Sequence, residues 1–315
     1  MYDTVNFWID RENTPKGNPF DVCPYLFDIT EHHSSESGGH WLTGYLGNYQ
    51  ATINPYGIKL NGSLPKLLKQ SNIDYLTIEE AKQAIEYLSD SLHVDINKAE
   101  LKRVDVSTGI PTKRPPHEYY PFLGNKIHFK RIETATDTLY YNTYKKVLCF
   151  YDKVKEVKKK KAIIPPTLAG CNLLKYELRF VHKLKQQFGQ TETPTGRLLC
   201  NPEFYRWIVE QWRQEFISIN KINQISNYMS DNVKTPKEVE NALLAYYIQK
   251  AGGQSEINRI MAVAKGKELF KDPKAYTRLK SKLNEHLTAQ TTIDNKNDLI
   301  TELDGKINDI AKYAS

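Results

Sequence analysis

Within Leu173-Leu-Lys-Tyr-Glu-Leu-Arg-Phe-Val181, residues 174–180 alternate apolar or aromatic with charged side chains. A β-strand sends successive side chains to opposite faces, so Leu174, Tyr176, Leu178 and Phe180 line one face and Lys175, Glu177 and Arg179 the other. Leu101-Lys-Arg-Val-Asp-Val106 places Arg103 and Asp105 together on one face, and Gly57-Ile-Lys-Leu-Asn-Gly62 also alternates. Further strand-like runs fall at 127–132, 138–142 and 147–151. Together they predict an α+β fold, an antiparallel sheet with helices on one face and polar residues on the open side. That open side either meets water only, or its Asp, Glu, Arg, Lys and Tyr residues form one site if the strands are neighbours.

Thr77-Ile-Glu-Glu80 reads as a capping box that opens a helix running through Leu92, with Ala81, Ala84, Ile85 and Leu88 at helical spacing. Gly189-Gln-Thr-Glu-Thr-Pro-Thr-Gly196 is rich in turn formers and marks a break. It divides the chain into an α+β unit over 1–190 and a helical region over 198–315. In the latter, Phe204, Trp207, Ile208, Trp212 and Phe216 form a stripe expected to be core. Thr235 caps a helix with Pro236 at its first position, Gly252-Gly253 ends it, and another begins near Ser255. Two helices joined by such a turn have the form of a DNA-reading helix-turn-helix or of an ordinary helical pair. The last thirty residues look helical, a peripheral or self-associating segment.

The 315-residue chain is 40% hydrophobic, enough for a substantial core, with no apolar run near the ~20 residues of a membrane span. No signal peptide opens it. Cys23, Cys149, Cys171 and Cys200 are widely spaced, which predicts reduced thiols in a cytoplasm. Net charge is +7, and between Lys145 and Lys161 eight lysines stand against Asp152 and Glu156. Such a patch, including Lys146 and Lys155, is either a solvated loop or a surface for a polyanion, of which nucleic acid is the commonest.

The patch follows directly on Phe150-Tyr-Asp-Lys153. A phenol that attacks phosphate must lose a proton of pKa about 10, and a nearby cation such as Lys153 favours the phenolate. Asp105 and Glu177 are carboxylates on half-apolar strands, where charge needs a partner or a task. They are either ion-paired within the sheet or hard ligands for Mg²⁺ or Mn²⁺. Adjacent His32 and His33 point to opposite faces of a strand, and these, His40 and His128 read as surface or structural. No Walker loop, nucleophile elbow or zincin motif occurs, which argues against ATP-driven cleavage.

The order of the pieces is informative. Gly62-Ser-Leu-Pro-Lys66, Asn72, the Thr77 helix, Leu101-Lys-Arg-Val-Asp105, Thr138-Leu-Tyr-Tyr141, Phe150-Tyr-Asp-Lys153 with Glu156, and Leu174-Lys-Tyr-Glu-Leu-Arg179 follow one another. The succession, over roughly residues 45–185, resembles the phage and plasmid replication initiators of the gene II/X type. It is also similar to the Rep_trans rolling-circle initiators and relaxases. The resemblance implies a bacterial-host enzyme that nicks one strand at an origin through a tyrosine, forms a 5′-phosphotyrosine and later rejoins the strand. It implies Tyr151 as nucleophile, Asp105 and Glu177 as ligands of Mg²⁺ or Mn²⁺, and Lys153 at the phosphate or phenolate. Arg103 and Arg179 would contact phosphate or brace the carboxylates, and with Lys175, Lys146 and Lys155 they are the residues expected at single-stranded and origin DNA. A host helicase and a second copy of the chain are further candidate partners. A conjugative relaxase and a non-catalytic origin-binding protein are the alternatives. Two departures stand out: Tyr141-Asn-Thr-Tyr144 replaces the usual glycine-serine pair, and Lys175 stands where an arginine is usual. They leave Tyr140, Tyr141 and Tyr144 as other possible nucleophiles.

Overall fold

The computed structural model describes residues 1–33, 39–69, 71–135, 137–160, 170–222, 234–288 and 298–314. Among them ten strands form one antiparallel sheet: β1 Tyr2–Asp10, β2 Phe27–His33, β3 His40–Leu46, β4 Tyr49–Asn54, β5 Gly57–Ser63, β6 Glu100–Thr112, β7 Lys130–Thr134, β8 Thr138–Asn142, β9 Lys146–Asp152 and β10 Asn172–Phe180. Their order is β2-β3-β4-β5-β1-β6-β10-β9-β8-β7. Each half is a meander whose last strand closes against its first, β5 on β1 and β10 on β6, and the halves meet where β1 pairs with β6. The run expected from 127 begins late, because His128 adopts φ 66° and turns the chain before β7.

The helices are α1 Leu64–Lys69, α2 Ile78–Leu92, α3 Lys153–Lys159, α4 Leu184–Gln187, α5 Gly196–Leu199, α6 Pro202–Ile217, α7 Pro236–Ala251, α8 Gln254–Gly266, α9 Pro273–Thr288 and α10 Asp298–Ala314. The capping box of α2 is formed, with Glu80 N–H donating to Thr77 Oγ1 at 3.2 Å and Thr77 N–H to Glu80 Oε2 at 2.8 Å. Helices α2, α6 and α10 bury their apolar stripes in the same cluster as the inner face of the sheet. The aromatic stripe of α6 is core, as its spacing predicts. Tyr176 stacks on Phe150 with ring centroids 4.5 Å apart, and its hydroxyl donates to the Trp212 carbonyl at 3.0 Å.

The expected break at 189–196 lies inside this packing: Leu101 N–H donates to Pro194 O, and Thr195 bridges Glu100. The C-terminal helices make two kinds of contact. Helices α7, α8 and α9 gather round a small cluster of their own, Ile248, Ile257, Met261 and Leu283. Helix α10 returns to the sheet unit, where Glu302 accepts from Tyr119 Oη at 2.7 Å. No helix of the described residues is long and apolar enough to cross a membrane, and Cys23, Cys149 and Cys200 are free thiols.

Candidate active site

On the face of the sheet away from α6, a cavity of about 440 Å³ is lined by residues of β6, β8, β9, β10 and α3. Strand pairing brings the charged rows together. Arg179 faces Asp105 across β10–β6, and Lys175 faces Tyr151 across β10–β9. Glu177 is diagonal to Tyr151, within reach of a long side chain. The Tyr151 hydroxyl donates to Glu177 Oε1 at 2.7 Å. Burial, reinforced by the Glu177 charge, raises the Tyr151 phenol well above its ordinary 10.

Two arginines hold the carboxylates. Arg103 donates from Nε and Nη2 to the two oxygens of Asp105, at 2.8 and 2.6 Å. Arg179 donates from the same two nitrogens to Glu177 Oε2, at 2.9 and 2.6 Å. The in-sheet ion pairs therefore exist. Burial still pushes the Asp105 carboxyl up to about 7, against the pull of Arg103. Arg179 Nε also lies 3.9 Å from Asp105 Oδ2, so the two carboxylates share one positive group. Carboxylate oxygens are hard ligands of the kind Mg²⁺ or Mn²⁺ takes, and here each of the four already accepts from a guanidinium or the Tyr151 phenol.

The floor of the site rests on Asp3, which the sequence reasoning did not single out. A bulge in β1 sets Tyr2 against Val106 and Val5 against Val104, leaving Asp3 and Thr4 opposite Asp105. Asp3 accepts from Ser63 Oγ and Ser107 Oγ at 2.7 Å each and from Asn72 Nδ2 at 3.1 Å, with Lys175 Nζ at 3.3 Å. Burial alone would raise its pKa, but Lys175 and these donors outweigh it and hold the carboxyl at about 2. An acid in the apolar start Met1-Tyr-Asp-Thr-Val5 is the same signal that picked out Asp105. Its partners come from four separate segments, which a local reading does not bring together.

The remaining candidates scatter. Lys153 is buried at the start of α3, where Nζ donates to Asn72 Oδ1 at 2.8 Å and Glu156 Oε2 at 2.7 Å. It lies 6.0 Å from the Tyr151 ring centroid, and burial lowers its pKa. Lys175 is wholly buried, bonded to Asn72 O and Asp3, so it braces the floor and offers nothing to an open phosphate. Lys146 shares the inner face with Leu148 and Phe150 and pairs with Glu215 of α6 at 2.7 Å, away from the cavity. Lys155 lies at the rim, on Asp137 at 2.7 Å. Lys161 falls outside the described residues. Of the other tyrosines, Tyr140 lines the cavity. Tyr141 is buried on the opposite face with its hydroxyl on Leu123 O, and Tyr144 is exposed, stacked on His182.

A second group able to hold a metal lies elsewhere. Ligand atoms of Glu31, His33 and His40 are all within 4.8 Å of one another. His33 and His40 face each other across β2–β3, and Glu31 precedes His33 by two residues on the same face. His32 and His33 do diverge, as expected; the cluster comes from hairpin register, which residue spacing does not show. Through Leu42 and Ile53 it shares the inner face of the sheet, opposite the cavity. It is separate from the carboxylates of Asp105 and Glu177.

Comparison with curated proteins gives no match. Residues 1–215 match the phage family model for the N-terminal part of the gene II type of replication-associated protein, and the span takes in the whole sheet and nearly all of α6. The chain belongs to that family of replication-associated proteins.

Proposed function

We propose that this replication-associated protein initiates rolling-circle replication by nicking single-stranded origin DNA through Tyr151. The observation that carries the reading is the 2.7 Å hydrogen bond from the Tyr151 hydroxyl to Glu177, which pairs the proposed nucleophile with a group able to take its proton. Tyr151 Oη forms a bond to phosphorus while the phenolic proton passes to Glu177. The bond between phosphorus and the upstream 3′-oxygen breaks, and that oxygen takes a proton and leaves as a hydroxyl. The 5′-phosphate remains on the tyrosine, so the strand is rejoined by reversal of the same step.

Arg103 and Arg179 stand beside the reacting centre and would stabilise charge that develops on the phosphate. A hard divalent cation held by Asp105 and Glu177 would polarise that phosphate. Asp3, Lys175 and Lys153 keep the floor and the Asn72 segment in place, a positioning role. Lys155 at the rim would contact the backbone of the strand.

The test is incubation of the full chain with single-stranded DNA in Mg²⁺ or Mn²⁺, followed by denaturing electrophoresis. The expected result is a protein band carrying labelled DNA, lost in Tyr151→Phe and on chelation. An adduct that survives in Tyr151→Phe would move the nucleophile to the cavity's other tyrosine, Tyr140.

A further inference from the structure

The face that holds the cavity continues across the other half of the sheet. Pairing by pairing, Arg103 faces Asn6, Asn6 faces Asn61, Asn61 faces Gln50, Gln50 faces Tyr45, and Tyr45 faces Phe27. This row crosses five inter-strand steps, about 24 Å at the usual strand spacing, and ends at Arg103 in the cavity wall. Side chains directly opposite one another share a face, and β4 alternates strictly, with Tyr49, Ala51 and Ile53 inward and Gln50, Thr52 and Asn54 outward.

The chemistry of the row is unusual for a surface that merely meets water. Neither the Asn6 nor the Asn61 side chain has a hydrogen-bond partner among the described residues, and Asn6 Oδ1 is buried as well as unpartnered. Tyr45 is 41% exposed and Phe27 70% exposed, so two rings stand open at the outer end. Between Phe27 and Arg103 the row has no carboxylate, and Lys59 lies on the same face beside Asn61. Amides read the exposed edges of unpaired bases, aromatic rings stack on their faces, and a phosphate backbone tolerates few acids.

We propose that this row is the sequence-reading surface for single-stranded DNA, aligning the strand so that its scissile phosphate reaches Tyr151. The inference rests on the nicking reading for its direction, but the surface itself is read from register and surface chemistry. Tyr45 and Phe27 stack bases at the outer end, while the Asn6, Asn61 and Gln50 amides select bases nearer the cavity. The length suits a short site, near the lower end of the roughly 4–16 nucleotides that sheet-based single-strand binders cover.

The experiment uses the full chain carrying Tyr151→Phe, so that strands bind without being cut, and a random-sequence single-stranded DNA library partitioned by filter binding. A short shared sequence is expected among the retained strands. Adding Tyr45→Ala should weaken binding of that sequence about tenfold. Adding Asn6→Ala and Asn61→Ala should flatten the preference among sequences, with melting temperature unchanged. Adduct formation on the selected sequence is scored in parallel with the chain that keeps Tyr151. No preference in the parent, or the same preference and affinity in all variants, overturns the proposal. Loss of the adduct alone, with the preference intact, counts against the nicking reading and not against this surface.

Discussion

Strands β1 to β5 and β6 to β10 follow one connectivity, each group closing its last strand on its first, yet away from the helices they present different surfaces. The β6–β10 half carries Arg103, Asp105, Glu177, Arg179 and Tyr151, all tied to one another. The β1–β5 half, past Asp3, carries Asn6, Asn61, Gln50, Thr43 and Thr52 with Trp8, Trp41 and Tyr45, and Lys59 as the cation among them. The difference follows from burial. At the centre of the sheet Asp105 and Glu177 are buried, and a buried charge is tolerated only when it is paired. Charge therefore collects where two strand rows and the Asn72 segment supply partners. Further out, neutral polar groups face solvent at little cost and stay available to a ligand. On the proposed reading, one half does chemistry on a phosphate and the other meets bases.

The largest expected effect separates the halves outright. Tyr151→Phe should remove covalent adduct formation while single-strand affinity stays at the parent value. Parallel loss of binding would mean that the halves do not divide these tasks. Next, Glu177→Gln keeps the shape of the side chain but cannot take the phenolic proton. Single-turnover adduct formation should slow by about 10²–10⁴-fold with binding retained. An unchanged rate would reduce Glu177 to an ion-pair partner of Arg179.

Asp3→Asn tests the floor between the two halves. It leaves Lys175 buried without its anion, and urea unfolding should show a loss of about 3–5 kcal/mol. The parent protein should show the linked acid sensitivity. The folded carboxyl titrates at about 2, below its ordinary 3.8, so its contribution is complete above pH 4 and is lost as pH falls towards 2. That contribution is about 2 kcal/mol. A flat stability between pH 4 and 2 would show that Asp3 is not held in this way. The smallest effect belongs to the outer half: Tyr45→Ala should weaken single-strand binding about tenfold without slowing the first-order conversion of bound DNA to adduct.

Much of this was readable in the chain. Alternation over 173–181 and 101–106 assigned Glu177, Arg179, Arg103 and Asp105 to one face, because parity in a strand is a local property. The same parity puts Lys146 with Leu148 and Phe150 on the inner face, so its direction was legible from its own strand, although membership of the lysine patch pointed the other way; its pairing with Glu215 was not. What was not legible depends on register between distant segments. Asp3 meets Ser63, Asn72, Ser107 and Lys175 only once β1 is inserted between β5 and β6. Lys175 is sealed by the Asn72 segment, which no strand pattern announces. The Glu31, His33 and His40 group likewise depends on the β2–β3 register. The break at 189–196 has the composition of a linker, yet its backbone hydrogen-bonds to the start of β6, a tertiary contact that composition does not encode.

The most direct test of the account is to digest the protein–DNA adduct with protease and nuclease and to locate the phosphonucleotide by tandem mass spectrometry. The account predicts a 5′-phosphate ester on Tyr151, in the peptide containing Val147-Leu-Cys-Phe-Tyr151, with a free 3′ hydroxyl on the released strand. A linkage at Tyr140, at any other residue, or to the 3′ side of the break would contradict it.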